Sequence, residues 1–431
     1  MSTQERNFWL TTAEMPLVPV RPLPDSADVV VIGAGFTGLS AARTLAKAGV
    51  RVIVLEAECV GWGASCRNGG MVLSGLKLGI PTLINRYGRE ATRRMYAASL
   101  ESIDCVEEIV REEGIACDFA RCGHLEVACK PRHFEEFRRG AETIEREFGR
   151  RVKIIEKKDL SAEIGSGIYY GGMVDEVSAG VNPARYVAGL GCAAAKAGAE
   201  IHEKTRATWL ERAPRVGVAG WKVTTSQGLM WAKDVLVATS GYTGEVTPAL
   251  KRKLIPIGSF IVVTEVLPEE MARELSPRGR MIYDSKNYLF YFRLTPERRM
   301  LFGGRAAFFP ENENTVRESG RILRDGMVSV YPQMRDVAVE FVWGGTLDFA
   351  FDIMPHAGRM SGMYFSVGYA GHGVAMATLL GKKMAEAILS GRDENPFAGI
   401  AFPGAPLGLY DGKPWFLPLV GAWYKFLDWV S

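Results

Sequence analysis

Three glycines and one acid lie at a spacing that can bind a dinucleotide. Gly33, Gly35 and Gly38 form a GxGxxG pattern, and Glu56 follows about 20 residues later. Gly33 lets the chain reverse, Gly35 lets the backbone approach a pyrophosphate, and Gly38 lets a helix pack closely on a strand. A carboxylate at the position of Glu56 accepts hydrogen bonds from an adenosine ribose and repels a 2′-phosphate. The pattern therefore predicts FAD or NAD rather than NADP.

The elements that the motif requires surround these residues. Residues 29–32 are an apolar β-branched run, which predicts a buried parallel strand. A helix is predicted over 36–48 and a second strand over 51–55, directly before Glu56. A glycine turn alone also occurs in ordinary strand-to-helix connections. Because strand, helix, second strand and acid are all present in order, we interpret residues 29–56 as a dinucleotide-binding unit.

A second glycine cluster, AECVGWGASCRNGGMV, follows the acid immediately and holds Ser65, Arg67 and Asn68. We expect a polar loop here rather than a helix, because glycine is so frequent. Such loops approach ligands closely. An NAD enzyme has no need of this second loop, so the stretch favours a flavin.

A third glycine loop, GYAGHG, holds His372 between a strand predicted over 363–367 and a helix predicted over 374–389. The N-terminus of such a helix offers backbone donors and partial positive charge, which suit an anionic group such as a reduced flavin. Gly241 follows another apolar strand, where the C-terminal end of a strand in an open sheet would meet a dinucleotide.

Composition limits the remaining classes of function. The chain has 431 residues, enough for two domains, and 52 basic against 49 acidic residues leave a net charge of +3, which does not indicate nucleic acid as a partner. Seven cysteines without a CxxC pair are typical of a reducing cytoplasm, and five scattered histidines do not indicate a metal site. The first 24 residues lack the apolar run of a signal peptide, and their prolines predict an extended arm.

The middle of the chain alternates between segments of predicted helix and segments rich in predicted strands. Amphipathic helices are predicted over 92–114 and 131–148, and a helix over 183–197 precedes strands that return to the first sheet. Residues 253–341 are rich in strands separated by turns, which predicts an antiparallel sheet. Tyrosines in this part are more often core than site, but Arg293 either ends its strand at the surface or points into a cleft.

Taken together, GAGFTG, Glu56, GWGASCRNGG and GYAGHG resemble the D-amino-acid oxidase family of FAD-dependent flavoproteins. Within it, the ASCRNGG loop, the strand pair around residues 287–304 and the WGG segment at Trp343 are most similar to the gamma-glutamylputrescine oxidoreductase group. The resemblance implies an α/β fold, with a Rossmann-like FAD domain over 25–85, 170–250 and 343–400. A second, α+β substrate domain on a mainly antiparallel sheet would cover 86–169 and 251–342, after an arm over 1–24 and before an aromatic tail over 401–431.

The resemblance also implies a set of site residues. His372 and Arg293 would be catalytic, and the substrate would contact Tyr288, Tyr291, Arg293 and Trp343. Residues implied to bind FAD are Gly33, Gly35, Gly38, Glu56, Ala57, Ser65, Arg67, Asn68, Gly69, Gly70, Ala207, Gly241, Gly371, His372, Gly373 and Val374.

Two departures from the family pattern affect what is expected. Relatives that attach flavin covalently hold a cysteine shortly before the last strand of the FAD domain, and residues 343–364 contain none, so FAD should be non-covalent. Those relatives also hold a lysine that promotes the reaction with oxygen, where Leu301 or its neighbours stand here. The electron acceptor is therefore left as O2 or another acceptor.

The reading is a cytoplasmic FAD enzyme that oxidises a C–N bond of an amine by hydride transfer to flavin N5, giving an imine that hydrolyses. The cofactor carries the chemistry, so no obligatory base is expected. The alternatives are an NAD-dependent dehydrogenase and a non-catalytic flavin-binding protein held at a membrane by its tail. Residues 414–430 are aromatic but too short to span, and packing on the protein is favoured over membrane contact.

Overall fold

The computed structural model describes residues 3–214, 219–304 and 313–430, so residues 305–312 of the expected substrate domain lie outside it. The strands are β1 Ser26–Ile32, β2 Val52–Leu55, β3 Met71–Val72, β4 His124–Val127, β5 Lys153–Glu156, β6 Gly171–Asp175, β7 Ala179–Gly180, β8 Glu200–His202, β9 Ala207–Arg212, β10 Trp221–Thr225, β11 Gly228–Val237, β12 Leu254–Val266, β13 Met281–Asp284, β14 Phe290–Leu294, β15 Arg299–Gly304, β16 Val339–Ala350, β17 His356–Met360 and β18 Met363–Val367. The α-helices are α1 Phe36–Lys47, α2 Ala64–Arg67, α3 Ile80–Tyr87, α4 Arg89–Glu113, α5 Pro131–Phe148, α6 Pro183–Lys196, α7 Pro248–Lys251, α8 Glu269–Leu275, α9 Glu313–Val330, α10 Gly373–Ser390 and α11 Leu417–Val430.

The first sheet has the order β17-β18-β11-β1-β2-β8, and β1 pairs in parallel with both β2 and β11. Val29, Val30 and Val31 of β1 are buried, as expected of a strand covered on both faces. Val29 and Val31 enter the core formed with α1, α6 and α10. Val30 enters a second core that is closed by β9 and β10. The dinucleotide-binding unit predicted from the glycines thus has its strands and helix in the expected order.

The second sheet has the order β16-β12-β15-β14-β13-β4-β6-β5. Its pairs are antiparallel except for β13 with β4, which is parallel. Helix α9 packs on one face of this sheet, where Phe260, Phe292 and Phe302 form the core. The other face lies against the first unit. The expected class, α/β with a second α+β unit on a mainly antiparallel sheet, is confirmed.

The expected domain ranges stay a prediction, and two elements bear on their limits. Helix α4 was placed in the substrate domain, yet Met95, Ile103 and Val106 of α4 lie in the same core as α1 and α10. Strand β6 was placed in the FAD domain, yet it pairs with β4 and β5 of the second sheet. Helices form in both predicted stretches, 92–114 and 131–148. The first packs in the core beside α1 and α10, whereas the second lies outside that core.

The two terminal segments pack on the protein. In the arm, residues Phe8–Thr11 form a 3-10 turn ahead of the proline-rich part, which has no helix or strand, and Phe8 and Trp9 are buried in the apolar core of the first sheet. At the other end, Leu417 of α11 is buried beside Phe349. The Asp428 carboxylate accepts hydrogen bonds from the main-chain N–H groups of residues 287 and 288 at 2.9 and 3.0 Å.

The opposite side of the tail exposes Trp415, Leu419 and Trp423. Across the described part of the chain, no helix combines the length and the apolar character needed to cross a bilayer.

Gly381→Ala tests the close crossing of α1 and α10. A Cβ at Gly381 would lie 2.3 Å from the carbonyl oxygen of Thr37, so the two helices would have to separate. We expect a loss of about 1–3 kcal/mol, measured as a lower midpoint in urea unfolding.

The matched control is Gly140→Ala in α5, where no heavy atom lies within 4 Å of the new Cβ. This change removes a glycine from a helix interior and should be neutral or stabilising by up to about 1 kcal/mol. Equal midpoints for the two variants would contradict the packing of α1 against α10.

Candidate active site

The first glycine turn is shaped by close approaches that side chains would block. Gly33 has φ +107°, and a Cβ there would lie 2.7 Å from the carbonyl oxygen of Ala238. A Cβ on Gly38 would lie 1.9 Å from the carbonyl oxygen of Gly33, and one on Gly35 would lie 2.8 Å from Ser65 Oγ. Helix α1 therefore begins directly against β1, with space at its N-terminus that only the absence of side chains provides.

Glu56 lies at the carboxyl end of β2 and faces the same turn. Its Oε2 accepts a hydrogen bond from the Ala34 N–H at 2.8 Å, and its Oε1 accepts one from the Glu58 N–H at 2.9 Å. Burial raises the pKa of Glu56, and these two hydrogen bonds oppose the rise. Each carboxylate oxygen has a second lone-pair site, so a ribose hydroxyl can still donate to it.

The second glycine loop contains one turn of helix, α2, where the sequence predicted an irregular loop. Ser65 Oγ accepts a hydrogen bond from the Phe36 N–H at the start of α1, at 3.0 Å. Its own hydroxyl proton stays available for an anion at that helix N-terminus. Asn68 folds the loop by accepting from the Gly70 N–H at 2.8 Å, and the Arg67 guanidinium donates to the carbonyl oxygen of Gly344 at 2.9 Å.

The main-chain carbonyls of segment 66–70 accept hydrogen bonds from side chains far away in the sequence. The donors come from the arm, from β16 and from β14, and they differ in type. The contacts are Asn7 Nδ2 to Cys66 O at 2.7 Å, Trp343 Nε1 to Arg67 O at 3.2 Å, Trp9 Nε1 to Asn68 O at 2.9 Å and Arg293 Nη1 to Gly70 O at 2.9 Å. Four of the five carbonyls are thereby fixed from outside the loop.

Two residues that were expected to contact the substrate belong to this set instead. Arg293 is 8% exposed, and its Nη1 also donates to the carbonyl oxygen of Val181 at 3.2 Å. Burial lowers the pKa of Arg293. Trp343 is 3% exposed. Neither residue is among those that line the cavity described below. Both donate to carbonyl oxygens of segment 66–70, and the roles expected for them, Arg293 as a catalytic group and carboxylate clamp and Trp343 as a substrate contact, stay predictions.

The third glycine loop brings His372 to the start of α10. The His372 N–H donates to the carbonyl oxygen of Tyr369 at 2.9 Å. Its Nδ1 is buried, and no partner for it exists within the described ranges. Burial lowers the pKa of His372 to about 3, so the imidazole is neutral at pH 7. A buried ring nitrogen without a hydrogen bond to the described residues can bond to a ligand at this site.

One cavity of about 960 Å³, with solvent at its mouth included, lies where the second and third glycine loops meet the second sheet. The sequence predicted several of its lining residues. These are Arg67, Asn68, Gly69, Tyr291, Gly371, His372 and Val374. Tyr291 Oη lies 3.4 Å from Ser259 Oγ, which also lines the cavity.

Other predicted residues lie elsewhere. Tyr288 packs beside Phe349 and Leu417, outside the cavity lining. Ala207 is buried at the start of β9, and Gly241 packs on β16, where a Cβ would lie 2.9 Å from the carbonyl oxygen of Thr346. Ala57 follows Glu56, and Gly373 opens α10.

Sequence reasoning missed Tyr283 and Lys77, which both line the cavity. The Tyr283 hydroxyl lies 3.2 Å from His124 Nε2, and His124 Nδ1 lies 2.8 Å from Ser178 Oγ. Burial lowers the pKa of His124 to about 4. Strand alternation in residues 281–284 could have found Tyr283, since it pairs with Tyr291 in the register. Lys77 follows β3 in a loop and has no sequence signal.

These observations fit a bound FAD. Glycine at position 35 leaves the backbone at the start of α1 uncovered by a side chain, the Ser65 hydroxyl lies beside this helix N-terminus, and Glu56 can accept from a ribose. His372 lines the cavity at the other end, and within the described residues its buried Nδ1 has no hydrogen-bond partner.

Comparison with known proteins agrees with FAD as the cofactor. A family model described as FAD dependent oxidoreductase (DAO) matches residues 28–387. The probable oxidoreductase OrdL of Haemophilus influenzae is 34% identical over 416 residues, covering 94% of this chain and 92% of that protein. Gamma-glutamylputrescine oxidoreductase of Escherichia coli is 30% identical over 433 residues, covering 99% of each. The crystal structure of glycine oxidase from Geobacillus kaustophilus matches with a TM-score of 0.74 at 19% identity, covering 89% of this chain and 100% of that one.

The family match spans most of the chain, and the two relatives span nearly all of it. The resemblance carried by the three glycine loops is confirmed. The chain belongs to the DAO family of FAD-dependent oxidoreductases.

Proposed function

We propose that this enzyme oxidises a C–N bond of a primary or secondary amine, either a gamma-glutamylputrescine-like amine or an N-substituted amino acid. A bound FAD would supply the hydride acceptor, at N5, for the carbon beside the unprotonated amine, and the resulting imine would hydrolyse. The observation that carries the proposal is the cavity between the glycine loops and the second sheet, which is lined by the neutral side chain of His372. The likeness to gamma-glutamylputrescine oxidoreductase over the full chain supports the substrate class.

In this proposal the FAD contacts follow the three loops. Gly33, Gly35 and Gly38 approach the pyrophosphate, Glu56 and Ala57 the ribose, Ala207 the adenine, and residues 65–70 the middle of the cofactor. Residues 371–374 contact the isoalloxazine ring. The absence of a side chain at Gly35, where a Cβ would meet Ser65 Oγ, and the spare lone pairs of Glu56 support the first two assignments.

The protein's own groups orient the substrate and exclude water. Tyr283 and Tyr291 line the cavity from neighbouring strands and supply an apolar wall with hydroxyl groups. His372 is neutral and can act as a hydrogen-bonding neighbour of the ring, without serving as a base. No carboxylate or histidine base is required, because the amine reacts in its unprotonated form.

Leu301 bears on the electron acceptor. It is buried, and a Cβ on Gly69 would lie 3.7 Å from its Cδ2. An apolar side chain supplies no positive charge for the reaction with oxygen, which supports an acceptor other than O2 while leaving O2 open.

A cytoplasmic location is part of the proposal. All seven cysteines are free, as expected in a reducing compartment.

The packing of Leu417 and the hydrogen bonds of Asp428 support a tail docked on the protein.

The deciding experiment is anaerobic reduction of the purified protein by a panel of amines, followed by admission of oxygen. Bleaching of the flavin by an amine supports the proposed reaction, and slow recovery of the colour in air supports another acceptor. A colourless protein would support the NAD alternative. A yellow protein that no amine bleaches would support a non-catalytic flavin-binding role.

Acid precipitation of the purified protein is expected to release all of the FAD into the supernatant. Residues 343–364 contain no cysteine for a covalent bond. Absorbance of the supernatant and of the washed pellet measures the partition, and colour retained in the pellet would contradict a non-covalent cofactor.

Gly35→Val is expected to abolish FAD binding, because its side chain would meet Ser65 Oγ and fill the space before α1. Glu56→Gln should cost less, about 1.5–3 kcal/mol for a hydrogen bond to a charged group. Flavin content after gel filtration and the dissociation constant from fluorescence titration measure both. The control is Gly244→Val, where nothing lies within 4 Å. Full flavin content in Gly35→Val would refute the assignment.

Arg293→Met is expected to lower flavin retention and thermal stability, since it removes the guanidinium hydrogen bonds to the carbonyl oxygens of Gly70 and Val181 and leaves Gly70 O with the Val181 N–H as its donor. The kcat/KM values for an acidic amine substrate and for its analogue without the carboxylate should fall by similar factors. A loss confined to the acidic substrate would restore Arg293 as a carboxylate clamp.

A further inference from the structure

Glu126 lies on the face of the second sheet that borders the cavity. In the parallel pair of β4 and β13, Glu126 stands beside Tyr283. His124, two residues earlier on the same face, stacks on the Tyr283 ring with centroids 5.4 Å apart. Side chains two residues apart in a strand point to the same side, so Glu126 and His124 flank Tyr283, whose ring lines the cavity.

Glu126 differs from the other acids of this sheet. Asp175 is paired with Arg150 at 2.7 Å, and Glu340 with Arg299 at 2.6 Å. Within residues 3–214, 219–304 and 313–430, no hydrogen bond or ion pair is formed by the carboxylate of Glu126. A partly buried carboxylate without a partner is costly to keep charged.

The electrostatics of Glu126 agree with its isolation. Burial is the main cause that raises the pKa of Glu126 to about 7; Lys77 opposes the rise, and Asp284 adds to it. Lys77 is thus close enough to act on Glu126, and it lines the cavity together with Tyr283. Lys77 therefore lines the cavity, and Glu126 lies next to the lining residue Tyr283 on the same face of the sheet.

We propose that Glu126 and Lys77 form a subsite for the α-amino-acid head of the substrate, with Glu126 binding its ammonium and Lys77 its carboxylate. This rests on the proposed amine-oxidising function and deepens it, because it assigns residues to the end of a gamma-glutamyl amine that does not react. It also supplies the carboxylate partner that Arg293, turned toward Gly70, does not provide. Opposite charges at fixed positions select a zwitterion over a neutral acyl group.

Binding of three butylamides that lack the terminal amine tests the subsite without turnover. γ-Glutamylbutylamide carries the whole head, glutarylbutylamide lacks the ammonium, and 4-aminobutanoylbutylamide lacks the carboxylate. Isothermal titration calorimetry on the holoenzyme gives Kd for each. If amines fail to bleach the flavin, the proposed function fails, while these Kd values still decide on Glu126 and Lys77.

Glu126→Gln is expected to weaken the two ligands with an ammonium by about tenfold or more and to leave glutarylbutylamide within about twofold. Lys77→Met should weaken the two ligands with a carboxylate and spare 4-aminobutanoylbutylamide. Glu126→Asp, which keeps the charge, should retain part of the preference. Glu142→Gln, an exposed change on α5, is the matched control and should leave all three Kd values unchanged.

The dependence on pH gives a second readout. The groups that face Glu126 are Lys77, Asp284, Tyr283 and His124. A protonated Glu126 cannot pair with an ammonium, so the preference of the native enzyme for γ-glutamylbutylamide over glutarylbutylamide should be present above pH 7 and lost as the pH falls below it. In Glu126→Gln the ratio should not change with pH. Equal losses on all three ligands, or none, overturn the proposal, as does a ratio in the native enzyme that does not change with pH.

Discussion

The candidate site depends on how the carbonyl oxygens of segment 66–70 are satisfied. A buried carbonyl without a partner costs about 1–3 kcal/mol, so a glycine-rich loop inside a protein needs donors from elsewhere. Here the donors are side chains of the arm, of β14 and of β16, and each reaches a different carbonyl. The loop that would carry the middle of FAD is therefore shaped by three other parts of the chain as well as by its own Asn68.

This arrangement also joins the two sheets. Arg293 and Trp343 belong to the second sheet, and their hydrogen bonds end on a loop that follows β2 of the first. Because a guanidinium and an indole fix direction as well as distance, the cavity wall formed by Tyr291 is held at a defined position relative to the loop. A cofactor bound by one sheet can then meet a substrate bound by the other without a mobile connection between them.

The parts of the fold that were predictable are those with a local signal. Glycine is needed at positions 33 and 38 because a Cβ at either would lie within 2.7 Å of a carbonyl oxygen. The helix 131–148 was predicted at its observed limits because its apolar period and its initial proline are local signals. Arg293 was not predictable. Strand alternation places Tyr291 and Arg293 on one face, but only the tertiary packing decides that the tyrosine borders the cavity while the arginine reaches Gly70. Glu126 and Lys77 are likewise brought near each other only by tertiary packing, which their spacing in the sequence does not indicate.

The contacts of segment 66–70 also bear on the stage of synthesis at which this enzyme can complete its fold and bind its cofactor. The segment is separated from its donors by 59, 223 and 276 residues in the chain. Contacts of such long range form late, after the local elements. During synthesis, residues 26–72 leave the ribosome long before Arg293 and Trp343 exist, so the nascent first sheet holds an unfinished loop. We expect cofactor capture to be a post-translational event, and the supply of FAD at that moment to set the share of chains that reach the folded state.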